Sequence, residues 1–177
     1  MIKPRLAMIV SMVAAAVASR LLPHPWNLTS VAAVALFSGA YLEDRRLAFL
    51  VPLAALFLSD LVLGFYKGMA VVYLSFALIV CIGLWLRSRR RPLAIIGATL
   101  AGSVLFFALS NLGVWAFGGF YPLNGAGLAA CFTAALPFFR GTLEGDGLYS
   151  LILFGGFALL ERNVSILRDP GSVVAVA

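Results

Sequence analysis

Long apolar runs separated by short polar joints make up most of this chain. The longer runs approach the ~20 residues that an α-helix needs to cross a ~30 Å hydrocarbon core. The predicted helices cover residues 5–22, 28–42, 47–65, 69–86, 92–117 and 148–160. The pattern therefore predicts an all-α, polytopic membrane protein with six transmembrane helices, which forms a single integral membrane domain over residues 1–177.

Two segments depart from this regular pattern. Helix 28–42 follows the proline-histidine-proline joint 23–25, which a helix interior does not tolerate, and it rises only ~22 Å. We therefore expect it to begin inside the protein. Segment 123–139 is apolar and rich in Gly and Ala. As a full crossing it would separate Arg162 and Arg168 from the other basic loops, so we predict a re-entrant or interfacial outer segment near 123–139.

The basic residues are sorted between the two sides of this topology. Of the 13 Lys and Arg, ten fall on one predicted side, and Arg20, Lys67 and Arg140 fall on the other. The ten are Lys3, Arg5, Arg45, Arg46, Arg87, Arg89, Arg90, Arg91, Arg162 and Arg168. Because cytoplasmic loops retain positive charge, we expect a multi-pass protein of the bacterial cytoplasmic (inner) membrane with both termini in the cytoplasm. The basic loops indicate topology in a lipid bilayer, and no nucleic acid is expected as a partner.

Composition and missing motifs narrow the functional classes. A mean hydropathy of +1.05 with 11% charged residues excludes a soluble globular domain. The sequence has no His-Glu-x-x-His, no Cys-x-x-Cys and no Gly-x-x-x-x-Gly-Lys-Ser/Thr motif. Cys81 and Cys131 lie far apart in apolar segments, so no disulfide is expected. We expect no enzymatic activity, no cofactor and no resident metal.

Asp60 is the acidic residue that lies well inside an apolar run. Counted from the basic side, it lies ~20 Å into a ~30 Å core. An intramembrane carboxylate is costly and is a candidate functional residue. The structural alternative is an ion pair with Arg20, Lys67 or Arg140, and one residue can serve both purposes.

Other polar and aromatic residues gather on the side of Asp60, and they predict a substrate pocket there. Ser110, Thr142 and Asp146 belong to the same outer polar set. The candidate substrate-binding residues are His24, Asn27, Asp60, Tyr66, Tyr73, Asn111, Trp115, Tyr121 and Arg140. We expect Asp60, Asn111 and Arg140 to line or gate one cavity, with Asp60 and Arg140 as candidates to pair when it is empty. Tyr66 and Tyr121 have an alternative role as interfacial aromatics.

Small residues recur on one face of the first helix. Ser11, Ala14, Ala15 and Ala18 follow the i, i+3, i+4, i+7 spacing, which lets another helix approach closely. Contact with a helix of the same chain is the simpler interpretation. Docking of a partner membrane protein is the alternative.

Several stretches resemble a bacterial family of small transport proteins of unknown substrate. They are LLPHPWNLTSVAAVALFSGAY (21–41), FLVPLAALFLSDLVLGFY (49–66), VYLSFALIV (72–80), NLGVWAFGGFYP (111–122) and ALPFFRGTLEGDGLYSLILFGGFALLER (135–162). That family in turn is similar to the substrate-binding S components of energy-coupling factor (ECF) vitamin transporters and to the solitary vitamin B12 importers.

The resemblance implies a function as well as a fold. It implies an ECF S-component-like bundle with an outward-facing pocket for a small, water-soluble, vitamin-like nutrient, with cobalamin as a candidate. It also implies that Ala14 and Ala18 dock onto a membrane coupling subunit served by separate ATPase chains. If a corrin cobalt is bound, His24 or Cys131 could be its ligand. The alternatives are an accessory subunit that binds no small molecule, and a small intramembrane enzyme that uses Asp60 with His24.

Overall fold

The computed structural model describes residues 4–21 and 30–167, and these residues form an all-helical bundle with no strand. Five helical stretches are long and apolar enough to cross a membrane, and α2 is a shorter apolar helix. The prediction of an all-α bundle with several helices long and apolar enough to cross a membrane is confirmed. The helices are α1 Pro4–Ala18, α2 Val31–Tyr41, α3 Arg45–Leu63, α4 Met69–Leu86, α5 Pro92–Phe117, α6 Gly125–Ser150 and α7 Gly156–Asn163.

Helix α2 lies at the centre of the bundle. Its residues 32–37 have no solvent-exposed surface, and α1, α3, α4, α5 and α6 all pack against it. A helix that is apolar on every side is typical of such a buried position. Gly39 of α2 and Gly83 of α4 bring the two backbones together, because a Cβ at Gly39 would lie 2.5 Å from the Val80 carbonyl oxygen. Small residues thus permit the closest helix contact in the core.

The basic side chains gather at one end of the bundle, which we call the basic end. Arg5 near the start of α1 pairs with Glu161 of α7 and donates to the Leu167 carbonyl at 2.5 Å. Arg87, just after α4, donates to the carbonyl oxygens of Leu42 and Glu43. The two termini of the described chain therefore lie at the same end, as expected for an even number of passes. The opposite end is called the distal end below.

The segment near 123–139 is not a separate element, so the predicted break between this segment and the last helix is wrong. One continuous helical stretch runs over Gly125–Asn163, with a single π-helical turn at Leu151–Gly155. Arg140, the expected break, lies inside α6, where its exposed guanidinium pairs with Glu144 one turn later at 2.7 Å. A charge on the exposed face of a helix does not interrupt its hydrogen bonds.

The length of this stretch has a consequence for its placement. Its 39 residues rise about 58 Å, roughly twice a ~30 Å hydrocarbon core. The stretch therefore extends beyond the core or is strongly inclined within it. The predicted outer segment and the predicted last helix are thus one element.

Candidate functional site

Asp60 of α3 is the centre of a polar cluster near the distal end. Only 1% of its surface is exposed. Arg20, in the single 3₁₀ turn after α1, donates from Nη2 to Asp60 Oδ1 at 3.3 Å. Tyr73 of α4 donates from its hydroxyl to Asp60 Oδ2 at 3.0 Å. Of the three cations considered as partners from the sequence, Arg20 is the one that pairs with Asp60.

The Arg20 guanidinium holds two neighbouring positions of α3 at once. Its Nη1 donates to Ser59 Oγ at 2.7 Å, and Ser59 in turn donates to the Leu56 carbonyl at 2.7 Å. The Arg20 side chain keeps 16% of its surface exposed, whereas that of Asp60 keeps 1%. We call Arg20, Ser59, Asp60 and Tyr73 the distal cluster. It presents a cation, a carboxylate and two hydroxyl groups within an otherwise apolar bundle.

Tyr66 lies beside the distal cluster in the turn between α3 and α4. Gly64 at φ +93° ends α3 and Gly68 at φ +86° precedes α4, so glycine permits the left-handed backbone on both sides of Tyr66. Partial burial, followed by the negative charge of Asp60, raises the pKa of Tyr66 above its ordinary value. Its phenol therefore remains neutral at physiological pH and can both donate and accept a hydrogen bond.

The other predicted pocket residues on α5 and α6 make contacts of their own. Asn111 donates from Nδ2 to the Phe107 carbonyl at 2.8 Å, and Trp115 donates from Nε1 to the Pro122 carbonyl at 3.0 Å. Tyr121 is half-buried in the loop between α5 and α6. The Asn111 contact lies within α5, and the Trp115 contact joins α5 to the loop that precedes α6.

Arg140 does not pair with Asp60. Its Nε pairs with Glu144 on the exposed face of α6, where 85% of the Arg140 side chain is accessible. The expected Asp60–Arg140 pair is therefore wrong, because Arg20 occupies the position beside Asp60.

Of the two candidate cobalt ligands, the structure describes Cys131 but not His24. Cys131 is buried on α6, and its thiol contacts the Asn111 carbonyl at 3.5 Å. His24 and Asn27 lie outside the described residues. Within residues 4–21 and 30–167, no group of three or more His, Cys, Asp or Glu side chains is arranged to hold a metal ion.

Asp146, which the sequence analysis assigns to the outer polar set, is a second buried carboxylate. Asp146 of α6 has no exposed surface, and it accepts from Ser103 Oγ at 2.7 Å and from the Ala32 backbone N–H at 3.0 Å. One turn away, Thr99 and Ser150 share a hydrogen bond of 3.0 Å. We call Thr99, Ser103, Asp146 and Ser150 the central cluster.

The central cluster supplies a hydrogen-bond acceptor to the start of α2, where the first backbone N–H groups have no partner within the helix. Ser30 precedes α2 but does not cap it, since its hydroxyl donates to the Ala16 carbonyl of α1 at 2.8 Å. Asp146 supplies an acceptor to the first turn of α2 instead, where a negative charge also complements the helix dipole. Because α2 rises only about 15 Å from the basic end, this cap lies well inside the bundle.

The spacing of the central cluster offers a signal that sequence analysis could have used. Thr99 and Ser103 are separated by one helical turn, and so are Asp146 and Ser150. Two polar pairs at this spacing on adjacent apolar helices predict facing partners. No comparable spacing in the sequence predicts the contact between Asp146 and the start of α2.

The small-residue face of α1 is directed away from the described core. Ser11, Ala14, Ala15 and Ala18 are all exposed, whereas the opposite face is buried. The buried residues of α1 are Arg5, Ile9, Val13, Ala16 and Val17. Packing against another described helix therefore does not explain the exposed face.

Comparison with known proteins yields a family but no function. A family model described as a family of unknown function (DUF6580) matches residues 1–167. No curated protein and no solved structure gives a significant match.

Proposed function

This chain belongs to the DUF6580 family of unknown function, and we propose that it is a membrane transport protein. In this proposal it binds a small water-soluble nutrient at the distal end, which faces outward. The observation that carries the proposal is the Arg20–Asp60–Tyr73 contact set, a charged and hydrogen-bonding group within an apolar bundle. The excess of positive charge at the basic end supports a cytoplasmic location for that end in a bacterial inner membrane.

The chemistry of the distal cluster suits a polar ligand. A buried ion pair rarely stabilises a protein more than apolar packing would, because both groups lose their hydration. Retaining Arg20 and Asp60 at this depth is therefore better explained by recognition. The partly exposed Arg20 can exchange its contacts with Ser59 and Asp60 for contacts with a substrate at modest cost.

The substrate class rests on the resemblance to ECF S components. It favours a vitamin-like molecule, with cobalamin as a candidate, and a bundle of the S-component type. If a corrin is bound through its cobalt, His24 is favoured over Cys131, because the Cys131 side chain is buried between α5 and α6.

The exposed face of α1 supports a partner for this transporter. Ala14 and Ala18 would admit a helix of a membrane coupling subunit, and ATP hydrolysis would reside in separate chains. The same face favours a second candidate function, an accessory subunit that assembles through α1 and binds no small molecule. Only the transport proposal requires a ligand at the distal cluster.

The proposal is tested by identifying what the purified protein retains. Small molecules extracted from the protein are analysed by mass spectrometry, with visible absorbance to detect a corrin, and water-soluble vitamins are then tested for direct binding. We expect one molecule to be enriched on the wild type and on Arg140→Gln, whose side chain is exposed. Arg20→Gln should lose it while remaining folded.

Two outcomes would contradict the transport proposal. One is a folded wild type that neither retains a small molecule nor binds any vitamin tested, which would support the accessory role. The other is equal retention by Arg20→Gln and Arg140→Gln, which would place the ligand away from the distal cluster.

A further inference from the structure

A cleft between α5 and the α6–α7 stretch forms a cavity of about 580 Å³. It is partly open and extends from Arg90 and Pro92 at the basic end to Ser103 and Leu143 nearer the centre. Gly147 and Gly155 form part of its α6–α7 wall. No residue of the distal cluster lines the cleft, so the cleft takes no part in the proposed nutrient site.

The chemistry of the cleft is that of a site for a hydrocarbon chain. Apolar side chains such as Ile95, Leu100 and Phe154 dominate its walls. The hydroxyl groups on its floor already have partners, since Thr99 bonds Ser150 and Ser103 donates to Asp146. A polar substrate would therefore find few hydrogen-bonding groups in its interior.

The length of the cleft matches one leaflet of a bilayer. The α5 residues that line it run from Pro92 to Ser103 and rise about 16 Å. Half of a ~30 Å hydrocarbon core is about 15 Å. An acyl chain that enters at the basic end would therefore extend to the membrane centre along the cleft.

The entrance of the cleft carries positive charge. The guanidinium of Arg90 lies over the Tyr41 ring at 4.8 Å from its centroid, and both residues line the entrance. Arg89 and Arg91 are its chain neighbours. Basic pockets between membrane helices at the cytoplasmic side are typical binding sites for anionic lipid headgroups.

We infer that this cleft binds an anionic phospholipid of the leaflet at the basic end. One acyl chain lies between α5 and α6–α7, and the phosphate lies beside Arg90 and Tyr41. The lipid fills a gap in the bundle wall next to Thr99, Ser103 and Ser150 of the central cluster. This inference does not depend on the proposed transport function.

The chain offers matched variants that test the site. A Cβ at Gly147 meets no atom within 4 Å, so Gly147→Leu fills the cleft without a clash. Gly97 on the exposed side of α5 also has open space, and Gly97→Leu is the matched control outside the cleft. For the charge, Arg90→Gln is compared with Arg89→Gln, because Arg89 is exposed and lies over Trp85 at 4.9 Å.

The experiment is native mass spectrometry of the full chain in mild detergent with added phosphatidylglycerol or phosphatidylcholine. We expect the wild type, Gly97→Leu and Arg89→Gln to retain one phosphatidylglycerol in preference to phosphatidylcholine. Gly147→Leu should lose most of the bound lipid of either kind. Arg90→Gln should reduce the preference for phosphatidylglycerol about fivefold, the effect of one basic residue near a membrane surface.

The thermal unfolding of each variant is also measured, because loss of lipid is informative only for a folded protein. If a folded Gly147→Leu retains lipid as the wild type does, no chain occupies the cleft and the inference is wrong. Equal retention of the two lipids by the wild type would overturn the headgroup assignment. A copurifying protein that Gly147→Leu releases in place of lipid would show that the cleft accepts a partner helix.

Discussion

Asp60 and Asp146 are both buried carboxylates in an apolar bundle, but their partners differ in kind. Asp146 accepts from neutral donors, Ser103 and the first turn of α2, well inside the bundle. Asp60 accepts from a cation, Arg20, and from Tyr73 near the distal end. Neutral, fixed donors are typical of a structural cap, whereas a partly exposed cation can exchange partners. We therefore interpret Asp146 as a structural residue, and the proposed function assigns recognition to Asp60.

The largest effect is expected from removing the central carboxylate. Asp146→Ala leaves the Ala32 N–H as a buried donor without this acceptor, at about 1–3 kcal/mol, whereas the Ser103 hydroxyl can still donate to the Thr99 carbonyl at 3.0 Å. We expect a loss of roughly 1–3 kcal/mol of stability, measured by thermal unfolding in detergent.

The folded fraction of Asp146→Ala should bind the ligand as the wild type does, because Asp146 has no part in the proposed nutrient site. If instead the variant is as stable as the wild type, Asp146 is not the cap of α2. If it is stable but cannot bind the ligand, the roles of the two carboxylates are reversed.

A smaller loss is expected at the distal cluster from Tyr73→Phe. The change removes one hydrogen bond to Asp60 and keeps the ring and the Arg20 contact. Because Asp60 retains a charged partner, we expect a loss of about 1 kcal/mol of stability. A loss as large as that of Asp146→Ala would make the distal cluster a second structural site.

The smallest effect on stability is expected on the exposed face of α1. Ala14→Trp adds a large side chain where Ala14 is exposed, so the fold and ligand binding should be unchanged. Nutrient uptake by cells should be lost, because a coupling subunit could no longer approach α1. Ala7→Trp, also exposed on α1 but one turn toward the basic end from Ser11, tests how local the effect is. Unfolding of Ala14→Trp would show that this face packs within the chain.

The contrast between the two carboxylates also explains what the sequence could predict. The apolar runs place α3, α4 and α5 within a few residues of their bounds, because membrane helices carry their signal locally. Asp60 is recognisable for the same reason, as a charge inside an apolar run. The role of Asp146 depends on its contact with the first turn of α2, 114 residues away along the chain, and local patterns do not contain that information.

The error near 123–139 has a related physical cause. Arg140 and the surrounding glycines indicate a break when each is considered alone. In the structure Arg140 and Glu144 form a pair one turn apart on an exposed face, and the helix continues. The i, i+4 spacing of opposite charges was the available signal for continuity.

The most direct test of the account is Asp60→Asn, studied for ligand affinity and for thermal stability in the same preparation. Asparagine nearly preserves size and can still accept from Tyr73. It removes the negative charge that pairs with Arg20 and that, in this account, a substrate also contacts. We expect affinity for the retained molecule to fall about tenfold or more, as a charged hydrogen bond is worth at least ~1.5 kcal/mol, with little change in unfolding temperature. Unchanged affinity in a protein that unfolds at a clearly lower temperature would show that Asp60 is structural and would contradict the account.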